Sequence, residues 1–453
     1  MRRVVKVSRI RIIITIIVVV LTTLLTGCTG KEPNEIAYVV ALGIDSTDDD
    51  NYKITIQYAN TTQISGGASE SGGKAGSEIV DNVTIEAPNI YAGVGLANNI
   101  VSKSFSMSHA KLIVFSKEIA EKGVKDMIET LVRSEEIRPD VFIAVANTTA
   151  NDYLTSVNPE MEVNPAQYYQ LIYQKNQLVG IPDGQLREFF TGLYTDNYDS
   201  ILSVAGVIEG AGGNSQNDDK GQSKDSQNEG SEGSSESLDS FESKNSDENE
   251  KEKDAEKNTS KYEYDIKNYV GGETAIEKKN KAEAIGAAVF EKDKMVGELG
   301  EVETEICKML KGDYTYSYLT YYNNDTPDIP ITVKTTQQKK PKYKIDTDKK
   351  TVDIELYIES DLYSLPADYN VENKIEDFER DVANYTSSAC TEFINNFTKK
   401  YNSDILKLNE KVKYKFLTNN QYNWFKKNVG WSEYKFSVCT NFKVRRTGLI
   451  VRE

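Results

Sequence analysis

The sequence predicts a mixed α/β fold in a chain of several domains, with two regions of different character. Strand-like apolar runs flank a helical stretch between residues 110 and 147, which favours a mixed sheet covered by a helix. Alternating strands surround a long helical stretch near the C-terminus, which favours an antiparallel meander beside one long helix. An acidic segment of low complexity separates the two regions. At 453 residues the chain is long enough for two or three domains.

A short apolar leader opens the chain. The apolar run at residues 12–25 spans 14 residues, fewer than the roughly 20 that a membrane-spanning helix needs. It ends in Leu-Thr-Gly-Cys at residues 25–28, which matches a bacterial lipobox. Five cationic side chains precede the run, as in the first part of a signal peptide: Arg2, Arg3, Lys6, Arg9 and Arg11.

This pattern predicts that residues 1–27 are a lipoprotein signal peptide, that Cys28 is lipidated and that residues 28–34 are a tether. The alternative is an uncleaved anchor with an incidental cysteine. Each buried CH₂ contributes roughly 0.8 kcal/mol, so two or three acyl chains would hold the protein stably. The leader therefore predicts a chain anchored by lipid to the outer face of a membrane.

Residues 35–208 are predicted to form an N-terminal α/β region with room for two subdomains. EIAYVVALGID and the alternating run NYKITIQYAN predict two strands joined by a hairpin turn at residues 46–51. AKLIVFS and VFIAVAN predict two further strands. Between them, KEIAEKGVKDMIETLVRS has apolar residues at helical spacing and predicts one helix.

Residues 209–283 are predicted to be an acidic, disordered insert. Residues 211–260 contain 14 Asp or Glu and 6 Lys, with hardly any bulky apolar side chains. Such a segment cannot bury enough apolar surface to offset the entropy lost on ordering. The insert also carries a large share of the acidity of the whole chain.

Residues 284–453 are predicted to form a C-terminal α/β domain. AIGAAVFEKDKMVGEL predicts two short strands joined by a polar turn, and TVDIELYIES alternates like a half-buried strand. From residue 371 to 401 apolar side chains recur every three or four positions, which predicts a long amphipathic helix. VKYKF and YKFSVCTNFKV then predict two more strands.

The charge of the chain argues against nucleic-acid binding. The formal net charge is -16, and it becomes -21 when the five positive charges of the leader are removed. A surface of this sign repels a phosphate backbone.

The usual signatures of nucleotide, zinc and serine chemistry do not occur in the sequence, so no catalytic residue, metal site or cofactor is predicted. His109 is the one histidine, and a lone histidine is more often packed or solvated than catalytic. Glu301, Glu303 and Glu305 lie where a helix should begin, so they favour its dipole. The aspartate run at residues 48–50 lacks the glycine and distal glutamate of a calcium loop. The chain is therefore predicted not to be an enzyme.

Three cysteines remain besides Cys28, and they are too few and too widely spaced for a disulfide framework or a zinc cluster. Cys307, Cys390 and Cys439 are expected to be small buried hydrophobes. A link between Cys390 and Cys439 is the one cross-link worth testing.

Several runs occur together in a familiar order: the lipobox, VVALGID, HAKLIVFSKEIAEKGVKDMIETLVRSEEIRPDVFIAVA, GAAVFEKDKMVGELGEVETEICKMLKG and VRRTGLI. This ordered set resembles the C subunit of bacterial spore nutrient germinant receptors. The resemblance implies a non-catalytic lipoprotein of three α/β domains on the outer face of the inner spore membrane. It also implies the A and B membrane subunits as partners, with nutrient recognition usually placed in the B subunit. The acidic insert departs from the family pattern.

The run RSEEIRPD, within the stretch that most resembles the family, holds the candidate partner-binding residues Arg133 and Arg138. The hypothesis is that both guanidinium groups either fix this loop or bind a carboxylate on the A or B subunit. The alternative is a solvated connection with a local Arg-Glu pair. An alternative function for the whole chain is a substrate-binding lipoprotein of a membrane transporter, although that fold would show repeated strand-helix units.

Overall fold

The computed structural model describes residues 13–17, 35–49, 51–59, 80–158, 165–174, 180–195, 197–208, 268–274, 280–322, 330–364 and 374–446. Cys28, the predicted tether and most of the predicted insert lie outside these ranges. Within them, no helix combines the length and the apolar character needed to cross a bilayer. The described residues form two sheets with helices packed on them, which confirms the mixed α/β fold.

The first sheet joins strands from both sides of the insert. Its order is β3-β2-β1-β5-β6-β7-β8-β9, and the short β4 pairs with β1. β1, β5, β6 and β7 run parallel, whereas β2, β3, β8 and β9 join through antiparallel pairs. The strands are β1 Ile36–Ser46, β2 Tyr52–Ala59, β3 Val80–Ala87, β4 Ser104–Ser106, β5 Leu112–Ser116, β6 Phe142–Ala146, β7 Ile201–Val207, β8 Ala282–Glu291 and β9 Lys294–Leu299.

Helices cover both faces of this sheet because its central strands are apolar on both sides. α1, α2, α3 and α6 pack on one face, and α4 and α5 pack on the other. The predicted hairpin at residues 46–51 and the predicted strands at β5 and β6 are confirmed. The helices are α1 Ile90–Ala97, α2 Lys117–Lys122, α3 Lys125–Val132, α4 Ala150–Ser156, α5 Pro165–Gln174 and α6 Leu186–Thr195.

The single helix predicted between β5 and β6 is wrong, because two helices replace it. α2 ends at Lys122, and the next residue, Gly123, has a φ of 122°, which lies outside helical geometry and is tolerated by glycine. Val124 is fully buried and donates its backbone N–H to the carbonyl oxygen of Asp293 in the turn between β8 and β9, at 3.0 Å. The break therefore lets the chain pack against that turn before α3 begins.

A second sheet and a long helix make up most of the described chain after β9. β10 Tyr316–Tyr322, β11 Pro330–Gln337, β12 Lys342–Asp346 and β13 Thr351–Ser364 pair antiparallel, with β11 and β12 on successive parts of β13. α7 Glu301–Lys311 joins the two sheets, and α8 Ile375–Lys400 packs on the second sheet. α8 confirms the long amphipathic helix predicted there.

The last strand departs from an antiparallel meander. β14 Lys435–Arg446 alternates between buried and exposed side chains as predicted, but it pairs parallel to β13. α8 and the segment after it return the chain to the starting end of β13, so the connection is a crossover.

The strand predicted at VKYKF is also wrong. Residues 412–416 form the end of α9 Leu408–Val412 and one turn of 3₁₀ helix, Lys413–Lys415, and α10 Asn419–Asn428 follows. Val412 is buried whereas Tyr414 is 92% exposed, so the residues that alternate with lysine in VKYKF do not form one buried apolar face.

The predicted insert connects two neighbouring strands, because Val207 of β7 pairs with Ala282 of β8. Residues 268–274, within the predicted insert, contact the first sheet. The backbone N–H of Gly271 donates to the carbonyl oxygen of Ile285 at 2.9 Å, for example. β8 and β9, which the sequence groups with the C-terminal domain, extend the first sheet. The predicted domain limits themselves stay a prediction.

Candidate functional site

The parallel strands of the first sheet all begin at one edge, which we call the N-terminal edge. The segments that precede β1, β5, β6 and β7 therefore lie along it. They include the chain leading from the predicted tether into β1 and the predicted partner loop leading into β6. The insert joins at the opposite edge, where β7 ends and β8 begins.

Arg133 and Arg138 both form local ion pairs on the surface. An Nη2 group of Arg133 donates to Glu129 Oε2 at 3.1 Å, and the Arg133 side chain is 80% exposed. Arg138 donates to both carboxylate oxygens of Asp140, at 2.9 and 3.0 Å, and this hydrogen bonding lowers the pKa of Asp140. Exposed pairs of this kind contribute little to stability. Partner binding by these two arginines stays a prediction.

The loop that carries these arginines is held in place by other residues. Glu136 Oε2 accepts the backbone N–H of Met107 at 2.6 Å, and Ile137 is buried in the core. Ser134 Oγ accepts the backbone N–H of Glu136 at 3.2 Å. The loop is therefore fixed without the two guanidinium groups.

Two aspartates join the first sheet to the segment that follows α8. The backbone N–H of Asp199 donates to the Asp404 carbonyl at 3.1 Å, and the backbone N–H of Asp404 donates to Asp199 Oδ2 at 2.8 Å. The Asp404 carboxylate accepts the backbone N–H groups of Leu408 and Asn409, each at 2.8 Å, at the start of α9. Burial raises the pKa of both aspartates, that of Asp404 to about 7.

A cleft of about 500 Å³ lies beside this junction. Tyr198, Asn402, Lys426 and Trp431 contribute to its walls. Lys426 Nζ donates to the carbonyl oxygen of Thr195 at 3.2 Å, so this ammonium group is already bound to the protein. The carboxylates nearby bind backbone N–H groups. The arrangement is suited to holding the two parts of the chain together, and it pairs no nucleophile with a base.

The helices α9 and α10, with the turn between them, form the outer side of this junction; we call residues 408–428 the α9–α10 unit. Tyr422 of this unit donates its hydroxyl to Asn197 Oδ1 at 3.0 Å, just before β7. Sequence reasoning missed both the unit and the aspartate junction. For the unit a signal was present, since residues 408–428 contain five lysines and one acidic residue, Glu410.

The remaining candidate residues show no catalytic arrangement. His109 is exposed, its Nδ1 lies 3.0 Å from Ser108 Oγ, and its ring meets Tyr38 edge-on at 4.8 Å. Across the residues described, no group of three or more His, Cys, Asp or Glu side chains could hold a metal ion. In the predicted aspartate run, Asp50 lies outside the described ranges.

The glutamates at residues 301–305 confirm the predicted helix start. α7 begins at Glu301, and Glu303 accepts the backbone N–H of Gly300 at 3.0 Å. Glu305 lies deeper and accepts the Tyr314 hydroxyl at 3.2 Å, and burial raises its pKa to about 7. These residues stabilise the helix and its contact with the second sheet.

The three described cysteines are free thiols. Cys307 and Cys390 are buried as expected, and burial raises the pKa of each to about 12. Cys439 is exposed, which corrects the expectation that all three are buried. It lies on the face of β14 that points away from α8, so it does not pair with Cys390 of that helix.

Comparison with known proteins gives two family matches. Residues 30–207 match the model described as spore germination protein N-terminal domain, and residues 285–448 match spore germination B3/GerAC like, C-terminal. Spore germination protein KC of Bacillus subtilis is 26% identical over 174 residues, covering 35% of this chain and 42% of that protein. Spore germination protein B3 of the same organism is 26% identical over 148 residues, covering 30% and 36%. Each alignment thus spans less than half of the relative.

Among solved structures, the crystal structure of the GerBC protein aligns with a TM-score of 0.48 and 15% identity, covering 89% of this chain and 96% of that one. The two family models match both folded regions in order and together span most of the chain. The chain therefore belongs to the GerAC-like family of spore germination proteins. This confirms the resemblance to germinant-receptor C subunits found in the sequence.

Proposed function

We propose that the protein is the lipid-anchored, non-catalytic C subunit of a spore nutrient germinant receptor and is needed for nutrient-triggered germination. The observation that carries this proposal is the ordered pair of family matches at residues 30–207 and 285–448. On this proposal Cys28 carries the lipid, the chain lies on the outer face of the inner spore membrane, and the A and B membrane subunits are its partners.

The geometry of the N-terminal edge supports this arrangement. The chain from the predicted tether enters β1 at the edge where the loop bearing Arg133 and Arg138 enters β6. On this proposal the tether joins the folded chain at the edge where that loop lies, which supports a position of the loop close to the membrane and to membrane-embedded partners. The second sheet is antiparallel apart from β14, unlike the repeated strand-helix units expected of a transporter's binding lipoprotein.

Replacing Cys28 tests the proposal. Cys28→Ala should abolish incorporation of labelled fatty acid and signal-peptide removal, and germination in response to nutrients should fail or slow. Cys439→Ala is the matched control, because it removes an exposed thiol that lies outside the lipobox, 411 positions after Cys28 in the sequence. It should leave labelling, processing and germination unchanged. A Cys28→Ala chain of mature length that stays in the membrane fraction would contradict the lipid anchor.

A further inference from the structure

Three large apolar side chains stand out from the α9–α10 unit. Tyr414 is 92% exposed, Leu417 95% and Trp424 65%. Leu417 and Trp424 border a shallow depression of about 610 Å³ whose floor includes Phe416. Clustered exposure of this kind marks an interaction surface, whereas single exposed apolar residues need no explanation.

The exposed residues are presented by a packed base. The Phe416 ring lies 5.0 Å from Phe425, Phe425 lies 5.8 Å from Trp431, and Trp431 lies 4.8 Å from Tyr434, measured between ring centroids. Thr418 caps α10 by accepting the backbone N–H of Gln421 at 3.3 Å. The segment therefore has an aromatic core of its own, and its exposed side chains lie outside that core.

The charge of this surface is opposite to that of the protein. Residues 411–432 contain five lysines and no Asp or Glu, in a chain of formal net charge -16. Lys413, Lys415 and Lys427 are exposed. Lys415 lines the depression and also donates to the carbonyl oxygen of Ile345, and Lys427 follows Trp424 by three positions on α10 and borders the junction cleft. Two acids flank this range: Glu433 is paired with Lys350, whereas Glu410 is exposed and leaves the unit with five lysines against one glutamate. An anionic partner fits this surface.

The unit lies at the same edge of the first sheet as the start of β1. It contacts Thr195 and Asn197, which lead into β7, and β7 is separated from β1 by β5 and β6. Three strand spacings correspond to about 14 Å. The predicted tether, residues 28–34, can span at most about 25 Å. The acidic insert, with net charge -8 over residues 211–260, joins at the opposite edge.

We propose that the α9–α10 unit docks on the surface of an anionic lipid bilayer. Tyr414, Leu417 and Trp424 enter the headgroup region, where amphipathic aromatic rings are favoured. Lys413 and Lys427 meet lipid phosphates, each lysine strengthening binding by about fivefold. The unit thus orients the body on the membrane to which the proposed anchor attaches it. It does so through contacts that do not depend on the acyl chains.

Vesicle binding by the unlipidated chain tests this inference. The sample is residues 28–453 with Cys28→Ser, because the apolar leader would bind vesicles by itself. Binding to vesicles containing phosphatidylglycerol should be at least tenfold tighter than to pure phosphatidylcholine and should weaken at high salt. The chain has two tryptophans, and Trp431 is only 8% exposed. Brominated lipids should therefore quench Trp424 selectively, and Trp424→Phe should abolish the quenching.

Matched variants distinguish vesicle binding through this surface from nonspecific binding by other parts of the protein. Leu417→Glu should weaken binding at least tenfold, and Lys413→Gln combined with Lys427→Gln should weaken it by about 25-fold. Tyr318→Glu is the control, because Tyr318 is 54% exposed and distant from the unit. Lys415 contacts the second sheet at Ile345, which pairs with Val352 of β13, whereas the row of Tyr318 crosses β13 at Asp361, nine residues or roughly 30 Å farther along. The Tyr318→Glu chain should bind like the parent chain.

Two results would overturn the inference. One is absence of anionic vesicle binding by the folded parent chain. The other is a Leu417→Glu chain that binds as tightly as the parent. If the parent chain does not bind vesicles but forms dimers, and Leu417→Glu abolishes dimerisation, the surface is a protein interface instead. Because Cys28 is replaced throughout, these outcomes are independent of whether the proposed lipid anchor is correct.

Discussion

We expect Asp404→Asn to remove one pH dependence of the protein's stability. The Asp404 carboxyl group is buried between α8 and α9, and burial raises its pKa from 3.8 to about 7. In the unfolded chain the same group titrates near 3.9. Between about pH 4 and pH 7 the folded state therefore binds more protons than the unfolded state. The contribution of Asp404 to the free energy of unfolding therefore falls as the pH rises through this window.

The magnitude follows from the size of the shift. A raised pKa of about three units corresponds to about 4 kcal/mol of unfavourable free energy when the group is fully ionised. Acidification from pH 8 to pH 5.5 should restore about 2 kcal/mol of the free energy of unfolding. Asparagine does not titrate, so the variant lacks this gain. It also loses one acceptor for the backbone N–H groups of Leu408 and Asn409, which costs about 1 kcal/mol at either pH.

Urea unfolding at pH 5.5 and pH 8 measures this effect. Trp431 donates to Asn409 Oδ1 at 3.2 Å, so its fluorescence reports on the junction. The difference in free energy of unfolding between parent and Asp404→Asn should change by about 2 kcal/mol between the two pH values. Asp346→Asn is the control: Asp346 also accepts two backbone N–H groups but is exposed, and hydrogen bonding lowers its pKa. Equal pH dependence of parent and Asp404→Asn would refute the raised pKa.

Two further predictions concern the partner loop and the insert. Arg133→Ala combined with Arg138→Ala should reduce receptor assembly or germination while the circular dichroism and melting of the purified protein stay unchanged, because both ion pairs are exposed. Germination at the parental rate with normal subunit levels would make this loop ordinary surface. Deleting residues 214–258 should leave the thermal midpoint nearly unchanged, because the segment offers few apolar side chains for packing. A large drop in the midpoint would show that it packs on the body.

Elements defined by a local period could be predicted from the sequence. β2 and β14 follow from a period of two and the long helix α8 from a period of about 3.6, whereas the buried strands β5 and β6 follow from continuous apolar runs of strand length. These periods reflect which side chains face a core, so they survive in the structure. They do not tell which strand pairs with which.

Errors arose where tertiary context decided the backbone. Gly123 interrupts a helical pattern because Val124 packs against the turn between β8 and β9. The letters of VKYKF alternate as in a strand, but Tyr414 points to solvent from a turn between helices. β14 lies parallel to β13 because α8 and the segment that follows cross over between them, a topology that the alternation in β14 cannot encode.

The candidate sites also divide into those that a local motif indicates and those that only tertiary structure brings together. Cys28, Arg133 and Arg138 could be proposed from short motifs and local charge. Asp199 and Asp404 lie 205 positions apart. Nothing in either neighbourhood indicates that the Asp199 backbone N–H donates to the Asp404 carbonyl oxygen while the Asp404 backbone N–H donates to the Asp199 carboxylate. Such a junction becomes visible only after the chain has folded.

The pairing of β7 with β8 has a practical consequence. Val207 and Ala282 pair with each other, so the long segment between them is a loop that connects two adjacent strands. Closing a flexible loop costs only about 0.6 kcal/mol more for each doubling of its length. The hairpin should therefore accept a foreign domain in place of residues 214–258 without loss of strand pairing. This hairpin opens at the edge opposite the start of β1, so on the proposal that Cys28 carries a lipid anchor we expect a fluorescent reporter inserted there to project away from the bilayer. Live imaging of the protein could then use a tag that leaves Cys28 and β14 unmodified.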